Sequence, residues 1–310
     1  ISSIALQTDG KIVAVGAVVS VSGYDSDVGW VRYLGDAVNV SRTRFDFDGD
    51  GKADVAVFRP SNATWYLQQS TNGFTGLAFG IPSDKIVPAD YDGDGKTDVA
   101  VYRDGIWYLQ RSSQGFTGVA LGAATDIPAP ADYDGDGKAE LAVFRPSNGT
   151  WYLYNLTNNQ NTSVTFGTSG DIPVAADYDG DGKADVAVFR PSNGTWYLQR
   201  SQAGFTGIQF GEANDKPVPA DYDGDGKADV AVFRPSNGVW YLLGSTTGFN
   251  AVRFGISSDV PAAADYDGDG KADIAVFRDG TWYLLQSAAG FTGVAFGLAT
   301  DKPVPNAFVP

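Results

Sequence analysis

Four carboxylates within nine residues recur six times along this chain, and no other set of residues in it offers comparable chemistry. In Asp177-Tyr178-Asp179-Gly180-Asp181-Gly182-Lys183-Ala184-Asp185 the side chains at positions 1, 3, 5 and 9 can converge on one cation. The main-chain carbonyl at position 7 adds an oxygen, and glycine at position 6 permits a turn that a side chain would block. Hard oxygen donors without nitrogen or sulfur favour Ca2+ over a transition metal.

The copies begin at Asp46, Asp90, Asp132, Asp177, Asp221 and Asp265, so successive starts lie 44, 42, 45, 44 and 44 residues apart. The side-chain ligands expected are Asp46, Asp48, Asp50 and Asp54; Asp90, Asp92, Asp94 and Asp98; Asp132, Asp134, Asp136 and Glu140; Asp177, Asp179, Asp181 and Asp185; Asp221, Asp223, Asp225 and Asp229; and Asp265, Asp267, Asp269 and Asp273. Lys52, Lys96, Lys138, Lys183, Lys227 and Lys271 are expected to contribute their backbone carbonyls. Only Glu140 departs from aspartate, and the expected cofactor is Ca2+, about six ions per chain.

Two other readings compete. An EF-hand shares the opening Asp-x-Asp-x-Asp-Gly but needs a bidentate glutamate at position 12 and flanking helices. Position 12 is instead valine in every copy (Val57, Val101, Val143, Val188, Val232, Val276), and a β-type run such as Val186-Ala187-Val188-Phe189 follows. Asp-Gly pairs also form turns without any metal. Six copies of four unneutralised carboxylates would, however, carry strong internal repulsion, so metal is the better account.

The formal charge of −15 disfavours nucleic acid or an anionic membrane as partner. The acidity is localised: 24 of the 37 Asp and Glu residues lie in the six loops, so metal explains the excess. Six divalent ions would bring the formal charge to about −3. The sequence has no Cys, which removes disulfides and Cys-based zinc sites, and no His, which removes the usual near-neutral acid-base residue. No apolar run approaches the roughly 20 residues of a membrane span. The chain starts at Ile1 and lacks Met, and is expected to be a mature or trimmed piece of a longer precursor. Loops of this type are most useful where calcium is millimolar, so an extracellular or cell-surface location is expected.

The elements that must position the loops repeat with them. In the fifth copy Val230-Ala231-Val232-Phe233-Arg234 is apolar on both faces, as for a strand buried between layers. Pro235-Ser236-Asn237-Gly238 is a turn, Trp240-Tyr241-Leu242-Leu243 a second strand, Gly248 to Gly255 a third, and Val260-Pro261-Ala262-Ala263-Ala264 a fourth. In the second and sixth copies the turn shortens to Arg103-Asp104-Gly105 and Arg278-Asp279-Gly280, a two-residue hairpin signal. Four-stranded units of this length mark a β-propeller. Residues 1–45 carry their own β pattern, with a hairpin expected around Thr8-Asp9-Gly10-Lys11 and a last run at Val38-Asn39-Val40-Ser41. Counting them as a divergent blade before six repeats in 46–300, with 301–310 as a closing strand beside them, the expectation is one domain over 1–310. That domain is an all-β, seven-bladed propeller of four-stranded antiparallel blades, with an open solenoid as the alternative.

Residues 46–300 resemble tandem FG-GAP or VCBS repeats, whose Phe-Gly pairs stand at Phe79-Gly80, Phe166-Gly167, Phe210-Gly211, Phe254-Gly255 and Phe296-Gly297, with Leu121-Gly122 as the exception. The segment from Ile4 to Gly16 resembles a delta-60 repeat of bacterial surface proteins. These resemblances imply a calcium-rigidified propeller on a cell surface and name no ligand.

The Trp-Tyr-Leu triplets at Trp65, Trp107, Trp151, Trp196, Trp240 and Trp282 are expected to pack between blades, with a sugar-stacking ladder as the alternative. Arg59, Arg103, Arg145, Arg190, Arg234 and Arg278 are expected to pair with a loop aspartate or a turn carbonyl. Asn-x-Ser/Thr triplets at Asn39, Asn62, Asn148, Asn155, Asn161 and Asn193 mostly coincide with turns. The function expected is a non-enzymatic, calcium-binding module for adhesion or extracellular structural assembly. Its partner would be a protein or glycan at the cell surface, or further copies of the chain. A propeller lectin or the repeating subunit of an extracellular filament is the alternative. An enzyme is disfavoured, because Glu140 and Glu212 are the only glutamates and a carboxylate pair outside the loops is hard to nominate.

Overall fold

The computed structural model describes residues 3–6, 12–19, 26–33 and 43–308. They fall into two compact units, Ile1–Ser41 and Arg42–Pro310. In the first, strands Ser3–Leu6, Ile12–Val19 and Ser26–Tyr33 form one antiparallel sheet, with Leu6 opposite Ile12 and Tyr33 opposite Ile12 on the other side. The hairpin expected there therefore forms. Its turn and the run at Val38–Ser41 lie outside the described residues.

The second unit is a six-bladed β-propeller built from six four-stranded antiparallel sheets. This corrects the expected seven. Dividing the length by the repeat period counted the N-terminal segment as a blade, but that segment forms a separate three-stranded sheet. Closure does not involve it. Lys302 and Pro303 pair with Phe58 and Val57, so the C-terminal strand becomes the innermost strand of the blade whose other strands are Val55–Arg59, Thr64–Gln69 and Gly73–Ala78. One hydrophobic cluster accordingly spans the sixth and first blades, with Phe277, Trp282 and Leu284 packed with Val55, Val57 and Trp65. Joining first and last strands within one blade leaves no unpaired blade edge at the seam.

Each blade follows the chemistry of its sequence. The second strand, such as Val186–Arg190, buries its first four residues because adjoining blades cover both faces. The third strand alternates, burying Trp196 and Leu198 and leaving Tyr197 half-buried. All six tryptophans of the triplets are fully buried, and each indole N–H donates to a carbonyl at the Phe-Gly position, for example Trp196 to Phe210 at 2.9 Å. They are core, not a sugar ladder. The outer strand, Gly204–Gln209 in this blade, alternates between half-buried and exposed residues.

Candidate calcium loops

Each acidic loop leads into the second strand of a blade, in five blades directly from the innermost strand and in the first blade from Phe45, and backbone amides hold its carboxylates. The position-1 carboxylate accepts from both glycine amides: Asp177 Oδ1 from Gly180 at 2.6 Å and Oδ2 from Gly182 at 2.8 Å. Those glycines are required, since Gly180 and Gly182 stand at φ of +81° and +84°, where an L side chain is strained. The position-7 amide donates to position 5, as Lys183 does to Asp181 at 3.0 Å. Position 9 is locked from two sides: Asp185 accepts from Tyr178 N–H and from Ser201 N–H in the turn between the third and fourth strands. That turn also sends two amides, Gln202 and Ala203, to Oδ2 of Asp179.

After these bonds one atom stands apart in five of the six loops. Oδ1 of Asp48, Asp92, Asp179, Asp223 and Asp267 is buried with no hydrogen-bond partner. A buried carboxylate oxygen without a donor is costly, and a cation among the neighbouring carboxylates would remove that cost. Side-chain oxygens of positions 1, 3 and 5 lie within 4.8 Å of one another in the loops beginning at Asp46, Asp90, Asp132 and Asp221; in the loop at Asp177 the trio is Asp177, Asp179 and Asp185. The donors present therefore fit a hard divalent cation. The lysines at position 7 have a second use that the sequence hid. Each side chain lies across the position-4 glycine of the preceding loop, Lys96 over Gly49 and, at the seam, Lys52 over Gly268. The position-8 amides make a parallel set of links, from Thr97 to the carbonyl of Asp46 and from Ala228 to that of Asp177, both at 2.6 Å.

The position-9 and position-1 carboxyls are in surroundings that disfavour their charge. With no cation among them, burial, aided by the neighbouring carboxylates, pushes Asp54 and Asp98 up to about 7. The same causes push Asp185, Asp229 and Asp273 up to about 6, and Glu140 up to about 8. Burial also raises the position-1 carboxyls of Asp46, Asp132, Asp221 and Asp265.

The arginines that recur in every repeat pair outside these loops. Each makes a two-bond ion pair with an aspartate just before an innermost strand: Arg103 with Asp84, Arg145 with Asp126, Arg190 with Asp171, Arg234 with Asp215, Arg278 with Asp259 and, across the seam, Arg59 with Asp301. The aspartate is buried, and it also accepts the amide that follows the Phe-Gly pair, as from Ile81 to Asp84 at 2.8 Å. A constant spacing of nineteen residues between Asp and Arg in five blades was the signal available in the sequence.

The structure also exposes residues that the repeat pattern did not mark. Phe74, Phe116, Phe205, Phe249 and Phe291, one on each outer strand except that of the third blade, are 61–64% exposed. Each meets a buried or half-buried phenylalanine from the preceding blade edge-on, as Phe116 meets Phe79 with ring centroids 6.3 Å apart. Phe205 also stacks on Tyr197, over which Arg190 sits. Between the first two blades Phe79, Ile81, Val101, Arg103, Tyr108 and Phe116 line a groove of about 260 Å³.

A search of curated proteins returned no match. Among solved structures the fold is similar to a lectin from Agrocybe aegerita that recognises non-reducing terminal N-acetylglucosamine, at 19% identity and a TM-score of 0.55, over 84% of this chain and 78% of that one. It is also similar to BBS1N in its complex with ARL6DN, at 14% identity and a TM-score of 0.52, over 82% and 80%. A third is virginiamycin B lyase from Staphylococcus aureus, at 8% identity and a TM-score of 0.51, over 83% and 88%. These likenesses establish the propeller fold alone. The FG-GAP-like repeat model matches residues 46–101, 90–143, 132–188, 177–232 and 221–276, and with its loops and Phe-Gly turns in place the chain belongs to the FG-GAP-like repeat family.

Proposed function

We propose that this chain is a non-enzymatic propeller module, rigidified by calcium, that serves adhesion or structural assembly at the cell surface or in secretion. The observation that carries it is the buried, partnerless Oδ1 at position 3 of five loops, each set among further carboxylates. Calcium would neutralise that charge and hold each loop against the turn that caps it; Asp46, Asp48, Asp50 and their counterparts would supply its oxygens. A catalytic reading has little to build on. The chain has no His or Cys, Glu140 is a buried loop residue, and Glu212 is exposed in an ion pair with Arg234. The test is a count of bound calcium together with thermal unfolding in millimolar calcium and in excess chelator. Binding of five or six ions, with a steep fall in Tm on chelation, supports the reading; no binding and an unchanged Tm rejects it.

One observation favours a glycan as the partner. Of the five exposed phenylalanines, Phe74, Phe116 and Phe205 stand beside a tyrosine and an arginine, and so offer apolar faces flanked by hydrogen-bonding groups, the pairing that sugar rings require. A glycan array probed with the intact protein and with Phe116→Ser and Phe205→Ser variants tests it. Signal lost in the variants supports glycan binding, and a silent array directs the search to protein partners.

A further inference from the structure

The loops resemble one another so closely in sequence that equal occupancy is the natural assumption, and the third loop breaks it. Resting on the calcium reading above, we infer that five loops hold calcium more tightly than the sixth, and that this one, the loop beginning at Asp132, is closed by Asn155 instead of by a tightly held ion.

Three features separate this loop. First, the turn that caps it is longer. Trp151 to Phe166 spans one residue more than the corresponding pair in the other blades, and Asn155-Leu156-Thr157-Asn158-Asn159-Gln160 replaces the serine-containing turn found elsewhere. Second, the Asn155 side chain is buried and takes over bonds made elsewhere by backbone amides. Its Nδ2 donates to Asp134 Oδ2 at 2.6 Å and to Glu140 Oε1 at 3.1 Å, and its Oδ1 accepts from the amides of Thr157 and Asn158. Third, Asp134 is exposed, and its Oδ1 accepts from the Asp136 amide at 3.1 Å. In the five other loops that same position-3 oxygen is the buried one without a partner.

The consequence is a difference in what a cation gains. In the five loops it meets a desolvated oxygen that nothing else satisfies, in a rigid loop. In the third, both oxygens of Asp134 and both of Glu140 already have N–H donors, Glu140 Oε2 taking the Tyr133 amide at 2.7 Å. Asp134 also faces water that competes for the ion. Beside it a cavity of about 420 Å³ opens between the third and fourth blades, lined in part by Asp134, Glu140, Asn155 and Arg200. The third loop thus keeps its shape with little help from metal, and any ion it takes exchanges with solvent.

The experiment is calcium titration of the intact chain followed by native mass spectrometry, repeated on Asp134→Asn and Asp179→Asn, with the melting temperature of each recorded. Five ions are expected to bind at calcium concentrations at least about tenfold below the level at which a sixth appears. Asp134→Asn should leave the five tight ions in place and should change the Tm by the same amount with and without calcium, since what it loses is an acceptor for Asn155 or Asp136, while Asp179→Asn should remove one of the five. Should Asp179→Asn not fold, Asp48→Asn gives the same reading at another loop. Six equivalent ions, or a tight ion lost from Asp134→Asn, would overturn the inference while leaving the calcium reading intact. No ions at all would overturn both, and is recognised by a Tm that ignores chelator.

Discussion

The amide of Ala53 donates to the carbonyl of Asp265 at 2.6 Å, tying the first loop of the propeller to the sixth. Equivalent bonds run from Thr97 to Asp46, Ala139 to Asp90, Ala184 to Asp132, Ala228 to Asp177 and Ala272 to Asp221, so the six loops form a closed circuit of backbone hydrogen bonds. Together with the lysines that lie across neighbouring glycines, this makes the acidic end of the propeller one connected ring.

The seam of the ring gives the first prediction. Asp301 is buried, pairs with Arg59 through two hydrogen bonds, and sits one residue before the strand that completes the first blade. Replacing it with alanine strands a half-buried guanidinium and removes the acceptor for the Leu298 amide. Asp301→Ala should cost about 2 to 4 kcal/mol in urea unfolding, more than an exposed ion pair would. Hydrogen exchange should report the loss first at Val57 and Phe58, the residues paired with Pro303 and Lys302.

A second prediction concerns the position-4 glycines. Gly93 and Gly95 both have positive φ, +82° and +86°, yet only at Gly93 would a Cβ collide, coming within 2.9 Å of the Lys138 side chain. Gly95→Ala should cost the backbone strain alone, about 1 to 2 kcal/mol. Gly93→Ala should cost more, because Lys138 must leave its seat, and Lys138→Ala should relieve the excess. Equal losses for the two glycine variants would mean that the lysine seat carries no energy.

What the sequence made legible divides along the same lines. The loops could be placed residue by residue because Asp-x-Asp-x-Asp-Gly specifies its own turn: Asp177 binds the amides of Gly180 and Gly182, which lie within the motif. The buried tryptophans were legible from alternation along the third strand. Blade number was not, because it depends on which strand pairs with Val55–Arg59, and the pairing of Lys302–Pro303 with Phe58 and Val57 leaves no mark in a repeat period. The arginine partners are not legible from the loops, because Asp84 and its equivalents lie outside the acidic motif, in the connection after Phe-Gly. The exposed phenylalanines were missed for a different reason: a strand reading assigns Phe116 to one face of a blade without saying whether anything covers it.

A third prediction sets those two aromatic classes apart. Trp196 is fully buried, with its indole N–H bonded to Phe210, so Trp196→Phe leaves both a void and an orphaned carbonyl and Trp196→Ala should cost about 3 to 5 kcal/mol. Phe205 is 62% exposed and meets Phe166 only edge-on, so Phe205→Ser should change stability by no more than about 1 kcal/mol. Chemical denaturation of the three variants checks the contrast, and a Phe205→Ser protein as unstable as Trp196→Ala would move the phenylalanines into the core.

The last prediction follows from the position-9 carboxyls. In metal-free protein, burial holds Asp54 and Asp98 at about 7 and Asp185, Asp229 and Asp273 at about 6, against about 4 in an unfolded chain. Glu140 is pushed up to about 8. Between these limits the folded chain binds more protons than the unfolded one, so raising the pH removes stability across the window from about 4 to about 8. Calcium demands the ionised form and supplies the charge that burial withholds, so its stabilising effect should grow over the same window. Melting in chelator should therefore give a lower Tm at pH 8 than at pH 5, and added calcium should raise the Tm more at pH 8 than at pH 5. A chelated protein whose Tm rises with pH would show that these carboxyls are ionised in the fold without metal, and that the amides of Ser201, Tyr178 and their counterparts suffice to hold them.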